Sequence, residues 1–217
     1  MTTEYLQVAQ TCASTRALGP GRRAVAWVQG CPFRCRGCIA PEWIPIRAAR
    51  AMTPGQLAAE LLADQDVTGF TFSGGEPMLQ AAALAKTIRI ARQHRDLSLI
   101  CFTGYRLAQL RTRPPGPGVA ALLRSVDVLI DGQYVAASDH GRGLRGSDNQ
   151  QVHMLTARLV GAAAELMVAR RRTEIRLGHG SALLVGVPNR DVAAAFGSIR
   201  RSRERVTSDN HAGQTAG

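Results

Sequence analysis

Short apolar runs alternate with amphipathic stretches along the first two thirds of the chain. Arg22–Gln29 is apolar and reads as a strand that runs into a loop, where Pro41 and Pro45 forbid regular structure. Thr53 is placed to cap a helix that Pro54 opens, with Leu57, Leu61 and Leu62 on its buried face. Thr68–Phe72 reads as a short strand ending in Ser73-Gly-Gly-Glu-Pro77. A helix from about Met78 to His94 follows, with Leu79, Leu84, Ile88 and Ala91 on one side. Leu97–Phe102 is a buried strand closed by Thr103-Gly104, and Tyr105–Leu110 is helical. Pro114–Gly118 breaks the chain before a helix at Val119–Arg124, and Asp127–Asp131 is again a buried strand.

Alternation of this kind from residue 22 to residue 131 implies βα units and a mainly parallel α/β sheet. Right-handed crossovers put the strand C-termini on one edge. Four notable sequences each follow a strand: the loop after Gln29, Ser73-Gly-Gly-Glu, Thr103-Gly-Tyr and Asp131-Gly-Gln. In a parallel sheet they converge where such folds place their chemistry. Beyond Asp131, Gly141–Gln151 is a polar, glycine-rich loop. Arg172–Leu177 and Ser181–Val185 flank Gly178-His-Gly180 as a hairpin, and Asn189 or Asp191 caps a final helix to about Ser202. The pattern predicts one domain over residues 1–199. A basic, polar tail over 200–217 is expected to be disordered. There is no internal repeat.

Composition narrows the class. Apolar residues make up 45% of the 217, enough for a substantial core. No apolar run reaches the roughly 18 to 20 residues needed to span a bilayer, and the N-terminus lacks a secretory pattern. The sequence therefore reads as a soluble, cytoplasmic protein. The net charge is +11 and comes almost wholly from arginine, since Lys86 is the only lysine. A basic surface suits nucleic acid, an acidic partner or an anionic substrate. Many of these arginines fall in Arg170–Arg172 and Arg200–Arg205, where solvation is the default, so nucleic-acid binding is disfavoured.

Chemistry enters with the cysteines. Cys31, Cys35 and Cys38 form a C-x3-C-x2-C stretch, and Cys12 and Cys101 lie apart from it. An odd, clustered set does not read as a disulfide framework. Three thiolates can hold three irons of a cubane and leave the fourth open to a ligand. Two other readings stay open on spacing alone. One is a zinc site completed by Cys12, Cys101 or a histidine, and the other is a redox pair at Cys35 and Cys38. The five histidines show no metal spacing. Ser73-Gly-Gly-Glu-Pro77 adds glycines that let backbone approach a ligand, with Glu76 as a charged acceptor for an ammonium group.

Together with Asp127-Val-Leu-Ile-Asp-Gly132 and Arg145-Gly-Ser-Asp-Asn-Gln150, these segments resemble the radical S-adenosylmethionine (SAM) superfamily. They are most similar to its small activating-enzyme branch, that of the anaerobic ribonucleotide reductase activating proteins. The resemblance covers about residues 8 to 155. It implies an incomplete parallel (βα) barrel, to which the small C-terminal hairpin and helix read above are added. Cys31, Cys35 and Cys38 would hold a [4Fe–4S] cluster, and SAM would chelate its open iron. Gly74, Gly75 and Glu76 would meet the methionyl amino group, Thr103 the ribose, and Asp131 the carboxylate end. Asp131 reads equally well as a strand-end acid bonded to the next turn. Arg145, Ser147 and Asn149 would order a loop over the site.

The implied activity is reductive cleavage of SAM to a 5′-deoxyadenosyl radical, which abstracts hydrogen from a glycine of a glycyl-radical enzyme. The electron would come from a flavodoxin or ferredoxin. Alternatives are a radical SAM enzyme acting on a peptide or small molecule, and a zinc-stabilised module binding nucleic acid. The chain departs from the branch at Ile39 and Ala40, where an aromatic and an asparagine are common. Gly37 is usual for it. Trp43 reads as an anchor packing the cysteine loop, Cys12 as a loop residue and Cys101 as a buried strand residue.

Overall fold

A computed structural model describes residues 5–178, 181–189 and 191–198. The chain opens with β1 (Leu6–Thr15) and β2 (Arg23–Val28), then β3 (Arg50–Met52) and α1 (Pro54–Leu61). Next come β4 (Gly69–Gly74), α2 (Ala81–Arg92), β5 (Ser98–Thr103), α3 (Leu107–Thr112), α4 (Val119–Ser125) and β6 (Val128–Asp131). The last elements are β7 (Gln151–Met154), α5 (Ala163–Val168), the hairpin strands β8 (Thr173–Gly178) and β9 (Ser181–Gly186), and a helical segment over 191–198. The expected tail over 200–217 and the end of the final helix lie outside the described residues. No helix among the described residues is long and apolar enough to cross a membrane.

Seven strands form the main sheet in the order β3-β1-β2-β4-β5-β6-β7. Its four central strands, β2, β4, β5 and β6, are parallel, as the βα alternation requires. The flanking strands β1, β3 and β7 run antiparallel to their neighbours. The sequence reading missed all three. β1 is legible in hindsight, because its inward positions Leu6 and Val8 alternate with half-buried ones. Cys12 accordingly lies on this strand, buried, and not in a loop.

Helices α1 to α4 cover one face of the sheet. α1 begins with a reciprocal capping box: the Thr53 hydroxyl accepts from the Gln56 N–H, and the Gln56 side chain accepts from the Thr53 N–H. α2 buries Ala83, Leu84, Ile88 and Ala91 against Phe70, Phe72 and Leu99. It starts at Ala81 and not at Met78, because Glu76 caps a short 3-10 turn over Pro77–Gln80. Leu79 lies in that turn and is exposed, against expectation. α3 likewise begins two residues later than the apolar pattern suggests.

The opposite face carries Trp27, Ile100, Val128 and Ile130. They pack under Leu144, Leu166, Val185 and Val187 from the C-terminal part of the chain. Asn189 accepts from the Val192 N–H at 2.8 Å, which fits the expected cap of the last helical segment. At the strand N-termini, Arg23 is wholly buried. Its guanidinium bonds to the Thr71 hydroxyl at 2.7 Å and the Ser98 hydroxyl at 2.9 Å, and to the Phe70 carbonyl.

Candidate functional site

The C-terminal ends of the four parallel strands open into one cavity. Cys31, Cys35 and Cys38 line it from the loop after β2, Ser73–Glu76 from β4, Thr103 and Gly104 from β5, and Gly132 and Gln133 from β6. The convergence expected from the alternating pattern is therefore realised by all four loops.

Backbone and glutamine contacts hold the cysteine loop. The Gly30 N–H donates to the Trp43 carbonyl at 2.9 Å and the Cys31 N–H to the Ile44 carbonyl at 2.9 Å. The Gln29 side chain donates to the Pro45 carbonyl at 2.7 Å. Trp43 packs on Trp27 with ring centroids 5.7 Å apart, so it anchors the loop as expected and also lines the cavity. Phe33, which the sequence did not single out, meets Tyr105 edge-on at 4.8 Å and lies over Gly104. A Cβ at Gly104 would meet that ring at 2.4 Å. The Cys38 N–H donates to the Cys35 carbonyl at 3.1 Å, closing the turn between these two cysteines.

The Gly-Gly-Glu segment has a structural duty of its own. The Gly75 N–H donates to the Val28 carbonyl at 2.7 Å, and the Glu76 N–H to the Gly30 carbonyl at 2.8 Å. A Cβ on Gly75 would meet the Gly30 oxygen at 2.2 Å, so only glycine lets β4 lie this close to the cysteine loop. Glu76 is buried, and protein donors already engage its carboxylate. Oε1 accepts from the Met78 N–H at 2.9 Å and the Thr103 hydroxyl at 2.8 Å, and Oε2 accepts from the Gly104 N–H at 2.8 Å. Burial pushes the Glu76 carboxyl up to about 7, against the pull of those three hydrogen bonds.

Asp131 is placed differently from the other SAM candidates. It does not line the cavity. Its buried carboxylate accepts from the Leu107 N–H at 2.7 Å at the start of α3. It also meets Arg106 at 3.1 Å and His153 at 2.8 Å. The structure thus matches the strand-end alternative, an acid bonded to the following turn. The Arg145–Gln150 loop is ordered as anticipated. Gln150 donates to the Gly132 carbonyl at 2.6 Å and Asn149 to the Gln133 carbonyl at 2.8 Å, while Ser147 accepts from the Val135 N–H at 3.0 Å. Gln133, which belongs to the Asp131-Gly-Gln turn singled out in the sequence, also lines the cavity, as do Tyr134 and Asp139, which sequence reasoning did not name. Asp139 had no local signal.

The residues fit a cluster. Three half-buried thiols share one cavity, and each can take a different iron, which asks for sulfurs spread over a wall. Burial raises the Cys31 thiol to about 11, with Glu76, Cys35 and Cys38 adding to it. Burial also raises Cys38, with Cys35 adding to it. A thiolate set that repels itself in this way calls for cationic charge among the sulfurs. The other two cysteines do not join. Cys12 bonds to the Ser14 carbonyl on β1, and Cys101 is wholly buried on β5, where burial raises its thiol well above the usual range. Among the described residues, no three His, Cys, Asp or Glu side chains converge to hold a single metal ion, as a zinc site would ask.

The comparisons decide between the remaining readings. Residues 17–153 match the profile of the 4Fe-4S single cluster domain. The chain belongs to the 4Fe-4S single cluster domain family. The chain is 33% identical over 147 residues to the anaerobic ribonucleoside-triphosphate reductase-activating protein of Vibrio cholerae, covering 64% of this chain and 91% of that protein. It is 28% identical to the protein of that name from Enterobacteria phage T4, over 62% of this chain and 85% of the relative. It is 29% identical to the pyruvate formate-lyase-activating enzyme of Clostridium pasteurianum, over 60% of this chain and 56% of the relative. As a family member of the radical SAM activase kind, it is an enzyme whose cofactors are a [4Fe–4S] cluster and SAM.

Proposed function

We propose that the protein cleaves SAM reductively and uses the resulting radical to activate a glycyl-radical enzyme, with anaerobic ribonucleoside-triphosphate reductase as the first candidate. The observation that carries this reading is the single cavity where Cys31, Cys35 and Cys38 face the Gly74–Glu76 backbone. The relatives that cover most of their own length in the comparison bear the reductase-activating name. When bound, the cluster and SAM supply one electron and a 5′-deoxyadenosyl radical, which takes hydrogen from a glycine Cα.

The chain's own residues bind, orient and exclude water. Cys31, Cys35 and Cys38 hold the cluster. The Gly74 and Gly75 backbone, with the acceptor position left on Glu76 Oε2, receives the ammonium of SAM. Thr103 acts mainly through Glu76, to which its hydroxyl donates, and Gly104 leaves room for the Phe33 ring. Asp131 acts at a distance, by fixing the start of α3. Leu18, Trp27 and Phe102 keep the inner end of the cavity dry. In this reading the sheet curves as an incomplete barrel within one domain over 1–199. The protein works in the cytoplasm and takes its electron from a flavodoxin or ferredoxin.

The test is anaerobic reconstitution. Iron and sulfide near four each per chain are expected, as is 5′-deoxyadenosine formed from SAM under dithionite. A glycyl-radical doublet should appear by electron paramagnetic resonance when the reductase from the same source is added. A loaded protein that forms 5′-deoxyadenosine but never that doublet would exclude the activase reading.

A further inference from the structure

The chain continues past residue 153, where the family match ends, and this later segment returns to the site. Gly186, Val187 and Pro188 line the same cavity as the three cysteines. The segment is tied at both sides of the sheet. On the β1 side, the Arg16 N–H donates to Glu174 at 2.8 Å, and Arg176 donates to the Ser14 carbonyl. On the far side, the Gly143 and Leu144 N–H groups donate to the Ala169 and Leu166 carbonyls, each at 2.8 Å.

Between these ties lies a buried ion pair. Arg171 and Asp139 meet at 2.8 Å with side chains 6% and 5% exposed. The sequence reading left Arg171 in a solvated arginine run, but Arg171 also donates to the Arg145 carbonyl at 2.6 Å and the Gly146 carbonyl at 3.0 Å. Asp139 faces the cavity and accepts from the Tyr134 hydroxyl at 3.1 Å. A residue beyond the family match therefore fixes a cavity residue inside it.

We propose that residues 163–178 and 181–188 form a fixed strap that walls the cavity that holds the three cysteines. Arg171–Asp139 is its clasp, and Val187 determines which part of a protein substrate can enter. The proposal rests on the function proposed above. The inner wall consists of Leu18, Trp27, Phe102, Val187 and Pro188, all uncharged. Of the two carboxylates at the cavity, Asp139 is paired with Arg171, and the acceptor position left on Glu76 is the one given above to SAM. A charged side chain entering there would lose its hydration without gaining a free partner, so the wall admits an uncharged stretch of polypeptide poor in side chains. Gly186 sets the strap's turn toward the cavity. Its φ is +127°, and a Cβ there would meet the Arg172 carbonyl oxygen at 2.5 Å.

Two measurements test the strap. In apoprotein, Arg171→Met should raise amide exchange at least about tenfold in both 139–146 and 181–188. A rise in one segment alone, or in neither, overturns the clasp. In the loaded enzyme, Val187→Phe should raise the KM for the anaerobic ribonucleoside-triphosphate reductase about tenfold, with kcat within about threefold. Val187→Ile should restore the KM. An unmoved KM, or a fall in kcat alone, overturns the wall. If the wild type forms no 5′-deoxyadenosine, the proposed function fails, and the exchange measurement still decides the clasp.

Discussion

The Thr103 hydroxyl donates to Oε1 of Glu76 at 2.8 Å, joining the ends of β5 and β4 beneath the cysteine loop. This bond spends the Thr103 side chain on the protein itself. It also stiffens a carboxylate that has one acceptor position left for a ligand. The same carboxylate makes SAM binding depend on pH. Burial holds Glu76 at about 7, above its ordinary 4.5. A carboxyl raised in the fold binds its proton more tightly when folded. Its contribution to stability is therefore full below 4.5 and is lost as the pH climbs to about 7. An arriving ammonium reverses the preference, favours the carboxylate and releases a proton. SAM affinity should rise from about pH 6 to about pH 8, by up to roughly tenfold per unit below the Glu76 value, and Glu76→Gln should flatten the profile. Anaerobic binding titrations at several pH values check this. A profile equally steep in Glu76→Gln removes Glu76 from the ammonium site.

The cysteines divide by place in the fold. Cys35 lines the cavity, whereas Cys101 is buried among the helices' core residues on β5. Cys35→Ala should lose the cluster and SAM cleavage together. Cys101→Ala should keep the cluster and cost about 1 kcal/mol or less of stability, as a small buried truncation. Iron and sulfide content with the visible absorption of the reconstituted protein separate the two. Loss of iron in Cys101→Ala would mean that the ligand set is misassigned.

Gly75→Ala probes the close approach of β4 to the cysteine loop. The added methyl would meet the Gly30 oxygen at 2.2 Å, and Gly30 lies next to Cys31. Backbone must move, so the variant should fold with a cost of about 1–3 kcal/mol and shed its iron to a chelator several-fold faster than wild type. Denaturant unfolding of the apoprotein gives the first quantity and chelation kinetics the second. Wild-type values for both would show that the loop has slack there.

What could be read in the sequence was local. The four parallel strands, the N-cap at Thr53 and the cysteine spacing each lie within a few consecutive residues, where periodicity and turn chemistry speak directly. The edge strands were missed because β3 has three residues and β7 four, too few to show a period. Asp139 and Arg171 were missed because their pairing joins distant loops, and an arginine run looks the same whether solvated or clasped. For Asp131, a strand-end carboxylate can turn either to the cavity or to the next helix. Its bond to the Leu107 N–H at 2.7 Å is a contact of the second kind, which no local pattern announces.

Arg23 offers the sharpest test of the fold's lower end. It is wholly buried, and Asp127 is the carboxylate that acts on it only through space. Its guanidinium instead satisfies the Thr71 and Ser98 hydroxyls and the Phe70 and Ser98 carbonyls, where β4 and β5 begin. Gly19 and Gly69 make room for it, since a Cβ at either would come within 3 Å of the arginine side chain. Removing the guanidinium strands several buried acceptors at once. Arg23→Ala should cost more than about 3 kcal/mol, whereas a surface variant such as Arg89→Ala should stay within about 0.5 kcal/mol. Arg23→Lys should recover only part of the loss, because one ammonium cannot span acceptors that a planar fork reaches together. Urea unfolding of the three variants measures this. A cost below about 1 kcal/mol for Arg23→Ala would mean that water enters and replaces the guanidinium.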